Sequence, residues 1–194
     1  MTDRPWTCRR YIVVDVEGNG QRPPELLELA VVPVVAGRIG DVTTWLVKPK
    51  TPISSIAQRI HGITSEMVAD APAFTEVEAQ VRAALADRVL VAHNAAVDLA
   101  VLQRMMPDFR PAEVLDTLKL ARRLLPDQPN HRLGSLAEAL DLAYDLPDRP
   151  HRAAYDALVT ARLFCRLATR PDGSPLSFAQ LCDRPGGGAA DALF

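Results

Sequence analysis

An apolar run that ends in two carboxylates one residue apart constrains this chain more than any other stretch. The segment is Tyr11-Ile12-Val13-Val14-Asp15-Val16-Glu17-Gly18-Asn19-Gly20. Residues 11–14 are β-branched or aromatic and uncharged, so they read as a strand buried on both faces, central in a sheet. Side chains alternate along a strand, which points Asp15 and Glu17 to the same side. Two anions held side by side repel, and they stay together most readily around a cation. Hard divalent ions such as Mg²⁺ and Mn²⁺ prefer carboxylate oxygen. The strand end therefore reads as half of a metal site. For Asp-x-Glu alone, a strand that simply finishes in a polar turn is the plainer alternative, so the other half must come from elsewhere in the chain.

With 194 residues the chain suffices for one domain with a substantial core and a short appendage. Apolar residues make up 48% of it, yet no apolar run approaches the ~18 residues of a membrane span. Residues 1–10 lack the apolar stretch of a secretory signal. Cys8, Cys165 and Cys182 are odd in number and widely spaced; they form no zinc or redox motif and suit a reducing cytosol. These features lead us to expect a cytoplasmic protein with no membrane partner. The formal net charge of −2 offers no global attraction for nucleic acid. It is compatible with a nucleic-acid substrate if metal ions neutralise the acidic centre and local arginines grip phosphates.

The run 26–35, interrupted by Glu28 and Pro33, and the run 42–47 follow the first strand across short links, which favours an antiparallel meander. Gly37 and Gly40 mark the turn between them. Residues 54–86 look helical, with Ser54 or Ser55 as a cap and breaks at 61–64 and 71–73. Residues 89–92 form a short buried strand after a helix, hence parallel to the first. Asn94 is placed to cap the next helix, 95–106. Asp98 then lies in that helix's first turns, near a strand end where ligands gather in open α/β sheets. An acid favoured by the helix dipole would explain Asp98 on its own; beside Asp-x-Glu on a neighbouring strand, a share in the metal site is the better reading. Residues 114–116 make a fifth, edge strand. Helices are expected at 117–125, at 133–142 and from the segment His151-Arg152-Ala153-Ala154-Tyr155-Asp156 through Ala168, the last carrying Asp156 toward solvent or toward the site. Residues 171–194 form a C-terminal extension, partly flexible, beyond a domain of residues 1–170.

Three ordered motifs then carry a resemblance to the DEDDh-type 3′→5′ exonucleases, the group that includes the proofreading epsilon subunit of bacterial DNA polymerase III. The first is Asp15 and Glu17 in Val-Asp-Val-Glu. The second is His93-Asn94-Ala95-Ala96-Val97-Asp98. The third is His151 with Asp156 five positions later. Flanking phrases agree: Ile60-His61-Gly62-Ile63-Thr64, Asp70-Ala71-Pro72-Ala73-Phe74 and Asp116-Thr117. The sister DEDDy class has a Tyr four positions before the last Asp, where this chain has Arg152. Two departures concern substrate. Gly18 and Asn19 replace the threonines that commonly follow the Glu, and Val97 replaces a common Phe.

The resemblance implies an α/β, ribonuclease H-like fold with a five-stranded mixed sheet flanked by helices. It implies that Asp15, Glu17, Asp98 and Asp156 hold two divalent ions, Mg²⁺ or Mn²⁺, and that His151 takes a proton from the attacking water. Gly18, Asn19, His61, Asn94 and Val97 are expected near the substrate, a nucleic acid with a free 3′ end. Single-stranded DNA is the leading expectation. An oligoribonuclease-like or RNA-trimming enzyme and a non-catalytic nucleic-acid-binding module are the alternatives. Arg122, Arg123, Arg132 and Arg152 are candidates for phosphate contacts. His93 is expected to pack at its strand end. A DNA polymerase is one expected partner. A sliding clamp, reached by the terminal Asp191-Ala192-Leu193-Phe194, is another.

Overall fold

The computed structural model describes residues 4–146 and 151–182. Strand β1 (Arg10–Gly18) is central. It pairs antiparallel with β2 (Leu26–Val35), from Arg10 opposite Val35 to Glu17 opposite Glu28. On its other side it pairs parallel with β5 (Val89–Ala92), which pairs parallel with β6 (Val114–Asp116). The far edge of β2 carries β3 (Arg38–Ile39) and β4 (Thr43–Leu46), both antiparallel to it. The sheet thus has six strands where the sequence led us to expect five. The extra one is the dipeptide between Gly37 and Gly40, which the sequence marks as turn. Gly40 N–H donates back to Pro33 C=O at 2.8 Å, so the chain leaves the sheet there and the edge strand is split in two.

A 3-10 turn (Trp6–Cys8) and seven α-helices complete the described residues: α1 (Ser55–His61), α2 (Phe74–Leu85), α3 (Ala96–Met105), α4 (Thr117–Leu124), α5 (Leu133–Ala139), α6 (Ala153–Leu167) and α7 (Phe178–Leu181). Alternation along β1 divides the core. Tyr11 and Val13 face one way and pack with α4, α5 and α6, while Ile12 and Val14 face the other way and pack with α2 and α3. Asp15 and Glu17 continue the odd-numbered face, so they emerge on the α6 side. Among the described residues no helix is long and apolar enough to cross a membrane.

One expectation about local structure is corrected. Asn94 does not cap α3: its φ of 67° is left-handed, Ala95 holds the N-cap position, and no side chain caps the helix. Asn94 N–H instead donates to Asp116 Oδ1 at 3.1 Å. The first part of the C-terminal extension is also built into the domain. Leu176, Phe178 and Leu181 are buried, Leu176 C=O accepts from Trp6 N–H at 2.9 Å, and the Arg9 guanidinium lies 3.7 Å from the centre of the Phe178 ring. The clamp-like residues 191–194 lie outside the described residues.

Candidate active site

The acidic cluster forms where β1 runs out of the core. Carboxylate oxygens of Asp15, Glu17 and Asp156 lie within 4.8 Å of one another. The first two come from alternate positions on β1, and the third from the first turn of α6, which packs on that face of the sheet. Asp98 arrives from the opposite layer. It is 5% exposed in the first turn of α3, and its Oδ1 accepts from the Val16 N–H, between the two β1 acids, at 3.2 Å. The four acids named from the sequence therefore converge on one strand end, three as a tight group and the fourth bonded to the backbone between two of them.

Electrostatics supports a cation here. Burial, then the charges of Asp98, Asp156, Glu17 and Glu28, push the Asp15 carboxyl well above its ordinary range. Burial and the charges of Asp156 and Glu28 raise Glu17 to about 8. Burial raises Asp98 to about 7, against the lowering effect of backbone hydrogen bonds. Asp156 is also raised by burial, and the charge of His151 partly offsets that rise. Carboxylates crowded in this way ionise readily only when a positive charge joins them. The donor set is all oxygen, so it fits a hard divalent ion. The residues present fit a divalent metal on both counts.

His151 stands exposed immediately before α6 with φ of 62°, and its backbone N–H donates to Asp156 Oδ2 at 3.0 Å. A non-glycine residue in the left-handed region is uncommon. Here the bend brings this residue to the acid five positions later.

The expected substrate contacts divide into two groups. Val97 is 55% exposed beside Asp98, and Asn94 is exposed on the same turn. Both are open to a ligand. Asn19 and His61 are not. Asn19 is fully buried: its Nδ2 donates to Thr51 Oγ1 at 2.8 Å, and its Oδ1 accepts from Gln21 and Glu25 N–H at 3.2 and 2.9 Å. His61 is 2% exposed. Ile63 N–H donates to its Nδ1 at 2.9 Å, which leaves the proton on Nε2, facing Gly18 C=O at 3.3 Å. Both residues thus shape the turn after Glu17 from beneath. Gly20 is required in that turn, with φ of 74° and Ala57 Cβ only 2.9 Å from where a side chain would start.

The arginines also separate. Arg123 Nη2 donates to the carbonyls of Gln180 and Leu181 at 2.6 and 3.2 Å, and Arg152 is bonded to Glu28, so both guanidinium groups are held within the domain. Arg122 and Arg132 line an open cavity of about 480 Å³ together with Asn94 and His131. Its floor is fixed by His93, whose ring nitrogens meet Thr117 Oγ1 and His131 C=O, each at 3.0 Å. His93 therefore packs at its strand end, and burial lowers its pKa. Asn94, in the lining of this cavity, donates its N–H to Asp116, whose charge also acts on Asp98.

Sequence reasoning did not assign Glu28 to this centre. It is 4% exposed and faces Glu17 across the β1–β2 pair. The signal was available: a charge inside an otherwise apolar strand must be paired if it is buried.

Comparison with known proteins adds the family. The model of the RNase_T family, described as exonuclease, matches residues 12–164. The chain belongs to this exonuclease family. It is 35% identical over 164 residues to the PolC-type DNA polymerase III of Bacillus subtilis (strain 168), a match that covers 81% of this chain and 11% of that one. It is 32% identical over 173 residues to the 3′-5′ exonuclease DinG of Staphylococcus haemolyticus (strain JCSC1435), covering 86% of this chain and 19% of that one. The chain thus spans only a small part of these relatives' length. Exonuclease X, solved in complex with 5′ overhanging duplex DNA, superposes with a TM-score of 0.72 at 32% identity, over 89% of this chain and 98% of that one. That likeness bears out the ribonuclease H-like α/β fold and the DEDDh resemblance.

Proposed function

We propose that this protein is a metal-dependent 3′→5′ exonuclease that releases nucleoside monophosphates from the 3′ ends of single-stranded DNA. The observation that carries this reading is the convergence of Asp15, Glu17 and Asp156 within 4.8 Å, with Asp98 bonded to the backbone between the first two. Asp15, Glu17, Asp98 and Asp156 would hold two Mg²⁺ or Mn²⁺ ions. When bound, such a pair supplies a nucleophilic hydroxide and stabilises the departing oxygen.

This chain's own residues do the remainder. His151, ahead of Asp156, accepts the proton from the water that attacks the terminal phosphorus. The P–O3′ bond breaks, the nucleoside 5′-monophosphate leaves, and the shortened strand keeps a new 3′-hydroxyl. The turn at Gly18, held from below by Asn19 and His61, lets backbone approach the terminal nucleotide closely. Val97 offers an apolar surface to its sugar or base. Arg122 and Arg132 line the cavity shared with His93 and Asn94 and bind backbone phosphates of the strand that leads in. DNA is favoured over RNA because the relatives at 30% identity or more include a PolC-type DNA polymerase and an exonuclease solved with DNA. The likeness to a PolC-type DNA polymerase is what supports a polymerase as partner.

The test is a set of single-stranded DNA, duplex DNA and RNA oligomers labelled at either end. Mononucleotide should leave from the 3′ end, fastest from single-stranded DNA, and a 3′-phosphate should slow attack strongly. Cutting of a closed circle, or release from the 5′ end, would refute the proposal.

A further inference from the structure

Glu28 is a buried carboxylate within an apolar strand, and it bonds to the start of α6. Its Oε1 accepts from Arg152 Nη2 at 2.6 Å. Its Oε2 accepts from Arg152 Nε and from the Ala153 N–H, both at 3.0 Å. The arginine fork thus grips the carboxylate with two parallel bonds, a geometry that fixes orientation as well as distance. The third bond satisfies an N–H that the helix itself leaves open. The N-cap residue, Arg152, makes no side-chain cap of its own. A residue 125 positions earlier in the chain supplies the cap to Ala153 from the neighbouring strand.

The clamp closes directly behind the reactive groups. Arg152 follows His151, and Asp156 lies one helical turn further on. His151 adopts a left-handed backbone, and its N–H is tied to Asp156. The helix start is therefore pinned twice: to β2 through Glu28, and to the histidine's backbone through Asp156. Both Glu28 oxygens are engaged by Arg152 and Ala153.

We propose that Glu28 and Arg152 are positioning residues for the reaction: they fix the N-terminus of α6 so that His151 meets the attacking water beside the acids. They touch neither substrate nor metal. This inference rests on the exonuclease reading above, and the experiment separates the two. Wild-type protein without nuclease activity would overturn that reading. The clamp is judged on its variants.

Glu28→Gln keeps the shape and loses the charge. Arg152→Lys keeps a charge and loses the fork. Each should lower kcat by about 10–100-fold, as loss of a group that orients a reactive residue does, with KM and Mn²⁺ affinity within about twofold of wild type. In a His151→Ala background the same substitutions should cost almost nothing, because the residue they position is gone. Hydrogen exchange read by NMR should quicken at the Ala153 amide and stay slow at Leu163 in the middle of α6. Equal losses with and without His151 would show that the pair serves the fold generally. Lost Mn²⁺ binding would assign Glu28 to the metal site, and unchanged kcat would remove its role. Each of these three results overturns the proposal. If Glu28→Gln does not fold, Arg152→Lys carries the same comparison.

Discussion

Asp15 sits within the field of four other carboxylates, Asp98, Asp156, Glu17 and Glu28, and burial lets those charges act at full strength. The metal-free protein should show this as a pH dependence of stability. Below about pH 4 these carboxyls are protonated in both folded and unfolded chains and cost nothing. As pH rises the unfolded chain ionises first, because Glu17 is raised to about 8 and Asp98 to about 7 in the fold. Stability should therefore fall between about pH 4 and pH 8. Thermal melts in chelator should show a midpoint that declines across this window. Mn²⁺ should restore it more at pH 8 than at pH 5, since the ion displaces protons. Asp15→Asn should flatten the decline, and a midpoint that rises with pH in chelator would contradict the assignment. At this scale the sequence was informative where chemistry demands a particular residue at a particular spacing. The convergence of Asp15, Glu17, Asp98 and Asp156 was legible because the first two close the apolar run of β1 and the other two lie in the first turns of helices. That the side chains of Asn19 and His61 are buried and brace the turn after Glu17 was not legible, because a polar residue beside a site looks the same in sequence whether it faces outward or braces the turn beneath. Glu28 was missed because its partner, Arg152, lies 124 positions away.

Strand β1 and helix α6 together build the site, and their mutual packing sets its geometry. Phe164 is fully buried, and its ring centre lies 4.8 Å from that of Tyr11 and 5.2 Å from that of Trp6. The Tyr11 hydroxyl donates to Trp6 C=O at 2.8 Å, and burial pushes its pKa up. Phe164→Ala should cost about 3–5 kcal/mol, the usual loss for emptying an aromatic site in a core. Denaturant titration at fixed pH measures it, and a loss under about 1 kcal/mol would show that this cluster does not hold α6 to the sheet. Elements with strong patterns were legible for the same physical reason: apolar residues 11–14 and 89–92 had to be buried on both faces, and both are. The split at Gly40 was not legible, because pairing of Arg38–Ile39 with β2 depends on register rather than on composition. The cap on α3 was misjudged because Asn94 tolerates a left-handed backbone as well as it caps, and the bond to Asp116 across the strand end selects the former.

The whole molecule divides labour between its two layers. One layer, with α6, contributes Asp156 and His151 to the face of β1 that carries Asp15 and Glu17. The other, with α3, contributes Asp98 and Val97. Residues up to Leu181 close the base of the first layer, so the packed domain extends past the boundary at 170 that composition indicated. Proline and glycine around 171–175 concealed that return, because they form a turn within the domain: Arg170 N–H donates to Ser174 C=O, and Gly173 N–H to Arg170 C=O. In the proposed reaction the acids hold the cations and the histidine moves the proton. The most direct measurement is a calorimetric Mn²⁺ titration beside single-turnover hydrolysis of 3′-labelled single-stranded DNA, for wild type, His151→Ala and Asp156→Ala. Wild type should be inactive in chelator and recover with Mn²⁺. His151→Ala should bind Mn²⁺ like wild type while its rate falls by about 10²–10⁴-fold, the range for a positioned acid or base. Asp156→Ala should lose both. Full activity in chelator, or a His151→Ala protein that loses Mn²⁺ as badly as Asp156→Ala, would contradict the account.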